Sequence, residues 1–272
     1  MVHSVEGRSG HYPLQFREGE LNRLQLQSNA FAADTDRLLD AVGVGAGWHC
    51  IDIACGPKGI TDVLSERVGP TGRVVGFEYD SEFVEIARST AAPNTEFIVG
   101  DAYRTGLAEA QFDFAHMRFL ACTAGDPETL VPETARLLRP GGVAAFQEAM
   151  VDTLRCFPPI LAWDRLRAAM TGLMPETAGD HPAAARIYRL LLQQGFQDVM
   201  CRPVTLALRH GDPWQDYLPD TVESVRSVLT QKGEFSDQEL DALIAECRAH
   251  LDKPDTFWTS FTILQVWGRK PA

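Results

Sequence analysis

The chain has 272 residues, of which 45% are hydrophobic and 23% charged, with a formal net charge of −12. No uninterrupted apolar run approaches the roughly 20 residues of a membrane-spanning helix, and no cluster of Lys and Arg offers the local positive charge that nucleic-acid binding needs. Both a membrane role and a nucleic-acid partner are therefore set aside.

A chain of this size suits one main α/β domain carrying a cap. Residues 1–10 contain no apolar segment of the kind a secretory signal needs, so a cytoplasmic location is expected. The six cysteines (Cys50, Cys55, Cys122, Cys156, Cys201 and Cys247) have no C-x-x-C spacing, and neither a bound metal nor a disulfide framework is expected.

In chain order, Leu21, Leu24, Leu26, Phe31, Leu38, Leu39 and Val42 recur at helical spacing, and Gly43, Gly45 and Gly47 end the pattern. One or two helices thus precede a short apolar strand, Trp48 to Ile53. An amphipathic helix over Ile60 to Val68 is closed by Gly69-Pro70, and strand Arg73 to Glu78 follows. Helix Ser81 to Ser89, strands Thr95 to Val99 and Phe112 to Met117, helix Glu128 to Leu138 and strand Val143 to Gln147 continue the alternation. Such alternation implies parallel pairing with helices on both sheet faces.

Beyond Asp152 the rhythm changes. Prolines 158, 159 and 175 surround a helical stretch from Ala162 to Leu173, and a helix from Ala183 to Gln194 ends at Gly195. Asp198 to Leu208 and Trp258 to Trp267 read as two strands forming an antiparallel edge pair. Between them lie helical patterns over Trp214 to Leu229 and Ser236 to Leu251, the latter opened by a capping box at Ser236-x-x-Glu239. The expected organisation is an N-terminal helical lid (1–47), an α/β core (48–150), a cap segment (151–182) and the end of the core (183–272) with a helical insert over about 211–256.

Three strands deliver an acid at or near their carboxyl ends: Asp52, Glu78 and Asp101. Ligands of open α/β sheets bind outside those ends, where strand order reverses. Ala54-x-Gly56-x-x-Gly59 has the spacing of a nucleotide-binding turn with its first glycine replaced by alanine, and Glu78 lies where an acid accepts ribose hydroxyls. A dinucleotide brings a doubly negative pyrophosphate to this turn. S-adenosylmethionine brings a sulfonium, an ammonium and one carboxylate, and like charges a few ångströms apart cost about 1 kcal/mol even in water. Three acids and Pro57, which lacks an N–H, favour the cationic ligand; Lys58 supports the alternative, an NAD(P)-dependent oxidoreductase.

The run Ile51-Asp-Ile-Ala-Cys-Gly-Pro-Lys-Gly59, with Val75-Gly-Phe-Glu-Tyr-Asp80, Val99-Gly-Asp-Ala102, Phe112-Asp-Phe114 and Leu137-Leu-Arg-Pro-Gly-Gly142, resembles the class I S-adenosylmethionine-dependent methyltransferases. The likeness extends to the bacterial small-molecule branch, whose N-terminal helix carries a pattern such as Glu20-x-x-Arg23-Leu24-x-Leu26-Gln27. It covers about residues 12–208 and Val266-Trp-Gly-Arg269. It implies a Rossmann-like α/β fold, with a seven-stranded, mostly parallel sheet, an antiparallel last strand and helical cap insertions.

The resemblance also implies roles. Asp52 would orient the methionine end of the cofactor, Ala54 and Gly56 would allow close backbone approach, and Glu78 would bind the ribose with Tyr79 stacking beside the adenine. Asp101 and the N–H of Ala102 would meet the adenine, the backbone at Met117 would hold the ammonium, and Arg23 would belong to a lid. Candidates for the chemical step are His116, as a base or as a histidine satisfied by local hydrogen bonds, Arg118, Glu148 and Tyr12. The expected reaction is methyl transfer from S-adenosylmethionine to the O, N or C atom of a small, partly apolar acceptor, with S-adenosylhomocysteine as product. A non-methylating cofactor-binding protein is the remaining alternative, and a second copy of the chain, as a homodimer, is admitted as a partner.

Overall fold

The computed structural model describes residues 20–173 and 182–272. Its N-terminal helices, α1 (Glu20–Ala30) and α2 (Ala32–Val42), lead into the core. In α2 the buried residues Thr35, Leu38, Leu39 and Val42 form one stripe at helical spacing, and Gly43, at φ 80°, ends it by donating to the carbonyls of Asp40 and Leu39. A positive φ suits glycine because it lacks a Cβ.

The core alternates β1 (His49–Ile53), α3 (Thr61–Val68), β2 (Arg73–Glu78), α4 (Ser81–Arg88), β3 (Thr95–Val99), β4 (Phe112–Arg118), α5 (Ala121–Ala124), α6 (Pro127–Leu137) and β5 (Leu138–Met150). Helix caps punctuate it. Asp80 accepts from the N–H groups of Glu82 and Phe83 at the start of α4, and Asp126 accepts from that of Thr129 at the start of α6. These side chains satisfy donors that the first helical turn leaves unpaired.

The remainder comprises β6 (Arg155–Phe157), α7 (Leu161–Thr171), α8 (Ala183–Gln193), β7 (Gln197–Val204), β8 (Ala207–Arg209), α9 (Tyr217–Ser224), α10 (Arg226–Gln231), α11 (Asp237–Leu251), β9 (Phe257–Thr259) and β10 (Thr262–Arg269). The main sheet runs in the order β3-β2-β1-β4-β5-β10-β7. The pairs β1–β2, β1–β4, β2–β3 and β4–β5 are parallel, and β10 is antiparallel to both β5 and β7. This is the expected seven-stranded architecture. Strand order reverses between β1 and β4, the place where ligands of such sheets bind.

The last two strands form the expected antiparallel edge pair, with β7 outermost and β10 between it and β5. Two other expectations need correction. Both of these strands are shorter than the apolar runs implied, since the chain on each leaves the main sheet to build a second sheet, β6-β9-β8. At the break, Ser260 N–H donates to Leu206 O at 2.9 Å and Leu206 N–H to Ser260 Oγ at 3.0 Å, which satisfies both interrupted ladders. Finally, Trp214 to Leu229 is two helices, α9 and α10, with Trp214 in the turn before them.

Period-two alternation sends Ile51 and Ile53 to one face of the sheet, with Phe77, Met117, Phe146 and the buried side of α8. Cys50, Phe114 and Ala145 face the other side with Leu38, Leu39, Leu64 and Val68 of α2 and α3. A third cluster lies in the cap, where Phe31, Trp163, Trp214, Tyr217, Trp258 and Phe261 pack together. Trp214 stands 4.6 Å from Tyr217 and 5.7 Å from Trp258 between ring centroids.

Candidate functional site

The carboxyl ends of β1, β2 and β3 form a continuous rim. Cys55 N–H donates to Phe77 O at 3.2 Å and Gly100 N–H to Glu78 O at 2.8 Å, so the segment after each outer strand is tied to β2. Asp52 is 2% exposed at the end of β1. The turn that follows places Ala54, Gly56 and Gly59 at φ of 55°, 59° and 55°. Alanine in this left-handed region costs roughly 1–2 kcal/mol, an expense that glycine avoids. Nothing lies within 4 Å of where a Cβ on Gly56 would stand, whereas one on Gly59 would overlap Asp52 Oδ2. The turn is open outward at Gly56 and closed inward at Gly59.

Glu78 is half-buried on this rim. Its Oε2 accepts the Gly56 N–H at 2.7 Å, and its Oε1 accepts those of Tyr79 and Asp80 at 2.8 and 3.0 Å. Burial raises its pKa, and these three N–H groups oppose that rise. A carboxylate has about four acceptor sites, so one remains for a ligand hydroxyl. Tyr79, 78% exposed, presents an uncovered ring beside it. Asp101 is exposed and accepts the Tyr103 N–H at 2.9 Å; Ala102, half-buried, packs against the core. Glu78 and Asp101 thus border one rim, and Asp52 lies buried beneath its turn.

Asp52 does not project into the cleft. Its Oδ2 accepts the Ile60 N–H at 2.8 Å, and its Oδ1 lies 2.6 Å from Nδ1 of His116. It braces the turn from beneath, which corrects the expectation that it meets the cofactor. His116 is fully buried, with Nε2 2.9 Å from the amide nitrogen of Gln147. Both ring nitrogens are engaged, so the histidine satisfied by local hydrogen bonds is the one observed and a base role lacks a free nitrogen.

Glu148 is also fully buried rather than facing the cleft. It accepts the N–H groups of Ala121 and Cys122 at 3.2 and 2.9 Å and so pins α5 to the end of β5. Burial pushes its pKa up to about 7. The Met117 side chain lies in the core, with its backbone in register with Ile53.

Arg118, at the end of β4, is the cation of the site. One nitrogen donates to Ser28 Oγ at 3.2 Å, and the guanidinium lies 5.7 Å from the centre of the Phe119 ring. Burial lowers its pKa, against the charge of Asp52. Among the described residues no carboxylate lies within ion-pair distance of it. Arg23 is 9% exposed and donates to Gln27 at 3.0 Å, within α1. Tyr12 lies outside the described residues. Lys58, the residue that favoured a phosphate ligand, sits 2.5 Å from Asp62 Oδ2 as an ion pair one helical turn on.

Residues missed in the sequence include Ser28, Thr35, Arg202, Gln147 and Gln265. The two glutamines carried a signal: each interrupts an apolar strand pattern, Ala145-Phe146-Gln147 and Leu264-Gln265-Val266, at a position whose neighbours are buried.

Residues 51–146 match a family model described as a methyltransferase domain. That match spans the core from β1 into β5. Demethylmenaquinone methyltransferase of Staphylococcus aureus is 30% identical over 128 residues, 46% of this chain and 53% of that protein. An uncharacterised 37.1 kDa protein in transposon TN4556 of Streptomyces fradiae is 29% identical over 174 residues, 63% of this chain and 50% of that protein. The chain spans about half the length of these curated relatives. The YcgJ protein of Bacillus subtilis has the same fold, with a TM-score of 0.55 at 15% identity, covering 87% of this chain and 97% of that one. So does an S-adenosylmethionine-dependent O-methyltransferase of Thermotoga maritima, with a TM-score of 0.51 at 15% identity over 88% of this chain and 65% of that one. Among the described residues, no helix is long and apolar enough to cross a membrane.

Proposed function

We propose that this methyltransferase domain protein transfers a methyl group from S-adenosylmethionine to a small, partly apolar molecule. The observation that carries the reading is the rim itself, where Glu78 is bonded to the open turn at Gly56 and the turn's one lysine is consumed by Asp62. A ligand with ribose hydroxyls and cationic groups suits that rim, and a diphosphate does not. The residues present fit the cofactor: Glu78 for the ribose, Tyr79 and Asp101 for the base, and the desolvated Arg118 for the methionine carboxylate.

S-adenosylmethionine supplies a methyl already activated on a sulfonium, so catalysis rests largely on proximity and orientation. The chain's part is to bind, align and exclude water. The braced turn would support the cofactor, and Phe119, whose ring packs on Phe31 and Phe261 of the cap, would help wall an apolar acceptor. With His116 and Glu148 both committed to internal hydrogen bonds, no base from them is needed in the step. None of the six cysteines is in a disulfide, which fits a reducing compartment, and we place the protein in the cytoplasm.

Calorimetric titration with S-adenosylhomocysteine is expected to give micromolar or tighter binding. Glu78→Ala should weaken it by about 2 kcal/mol through loss of charge-assisted hydrogen bonds. A flat titration with folded protein, or tight binding of NAD(P), would overturn the reading. Release of labelled methyl to an acceptor panel separates a methyltransferase from a protein that binds the cofactor without using it.

A further inference from the structure

A buried polar row crosses five strands on the α2 face of the sheet, one step beyond the apolar row of Cys50, Phe114, Ala145 and Trp267. It begins at Arg202 on β7, whose Nε donates to Gln265 Oε1 at 2.8 Å. Gln265 Nε2 on β10 donates to Gln147 Oε1 on β5 at 2.7 Å. Gln147 Nε2 lies 2.9 Å from His116 Nε2 on β4, and His116 Nδ1 lies 2.6 Å from Asp52 Oδ1 on β1. His116, Gln147 and Gln265 are fully buried. Strand register makes the row, because Gln265 faces both Arg202 and Gln147, and Asp52 faces His116.

Its direction is determined. Arginine only donates, so Gln265 must present its oxygen to Arg202 and its NH2 to Gln147. Asp34 O, 3.1 Å from Gln265 Nε2, holds the same orientation. Gln147 therefore accepts with its oxygen and donates with its NH2, and His116 Nε2 can only accept. The ring proton is left on Nδ1, aimed at Asp52. A donor at Nε2 excludes a second ring proton there, so the imidazole is neutral and Asp52 keeps its full negative charge beneath the turn.

We propose that Arg202, Gln265, Gln147 and His116 are positioning residues that act through Asp52: they hold His116 as the neutral Nδ1–H form, and Asp52, bonded to Ile60 N–H, holds the 54–60 turn for the cofactor. The proposal rests on the cofactor reading above, but its first test does not. In full-length protein with 15N-labelled histidine, the His116 ring should show a protonated Nδ1 and a bare Nε2. In Gln147→Glu, where an acceptor replaces the donor, Nε2 should become protonated.

The second test is affinity for S-adenosylhomocysteine. His116→Leu should weaken it about tenfold, the loss expected for a hydrogen bond to a charged group. His116→Asn, which keeps a donor facing Asp52, should restore most of that loss in variants with the wild-type circular dichroism spectrum. Arg202→Met, at the half-buried end of the row, should admit a second ring form without unfolding the chain. A wild-type ring protonated on Nε2, or equal affinities for the leucine and asparagine variants, would overturn the inference. Absence of binding by the wild type would instead sink the cofactor reading and leave the ring assignment standing.

Discussion

At the scale of single residues, two positions carry the most testable physics. Gly59 is the pivot of the turn: it has a positive φ, and an added methyl would occupy the place of Asp52 Oδ2. Gly59→Ala should therefore displace Asp52 from Ile60 N–H and abolish measurable S-adenosylhomocysteine binding in calorimetry, whereas Gly56→Ala, whose Cβ meets no protein atom, should leave the bond from Asp52 to Ile60 N–H in place and add only backbone strain to the unliganded fold. Glu148 is the other position. Burial, opposed by the N–H groups that Glu148 accepts, holds its pKa at about 7 in the folded chain, above the roughly 4.3 of an unfolded glutamate. A group raised in this way contributes stability that is fully present below the unfolded value and is lost as pH rises through the folded one. Urea midpoints should accordingly fall between pH 5 and pH 8, and Glu148→Gln should flatten that slope.

At the scale of elements, the insert α9 to α11 shows how local signals and packing divide the work. The capping box opening α11 is present as its spacing implied, with Glu239 N–H donating to Ser236 Oγ at 3.2 Å. Glu239 also pairs with Arg165 of α7 at 2.7 Å, joining cap helix to insert. Ser236→Ala should lower stability by about 1 kcal/mol, the usual worth of a helix N-cap. Thermal unfolding would register the loss, and cofactor affinity should not change, because α11 packs chiefly on α7, α9 and α10. The break of the long apolar runs into β7 and β8, and into β9 and β10, has a different origin. Periodicity alone marks an apolar segment as strand; only the facing pair Leu206 and Ser260 shows where it changes sheets.

At the scale of the molecule, the cap cluster and the core clusters are built on shared strands. The cap cluster takes in Phe31 from between α1 and α2, Ala149 from β5, Val204 from β7 and Ile263 from β10, so it rests on three of the strands that carry the polar row. Trp163, Trp214 and Trp258 lie in that cluster, while Trp48 and Trp267 pack against the α2 face of the core. Tryptophan fluorescence thus reports chiefly on the cap and far-ultraviolet circular dichroism on the whole. Their denaturant transitions should coincide if the interior melts as a unit. A fluorescence change that precedes the loss of helix would mean that the cap opens independently.

Taken alone, the amino-acid sequence determined the alternating α/β order, the glycine turn after β1 and the acids at three strand ends, because these depend on local periodicity and on spacing within one strand–turn–helix unit. It also singled out Glu78 and the turn, which the structure joins through Gly56 N–H. Only the tertiary structure decided that β10 slides between β5 and β7, that Lys58 is spent on Asp62, and that His116, Gln147, Gln265 and Arg202 line up behind Asp52. Those hydrogen bonds join residues up to 118 positions apart. Strand register brings them together, and no local pattern in the chain encodes which strands become neighbours.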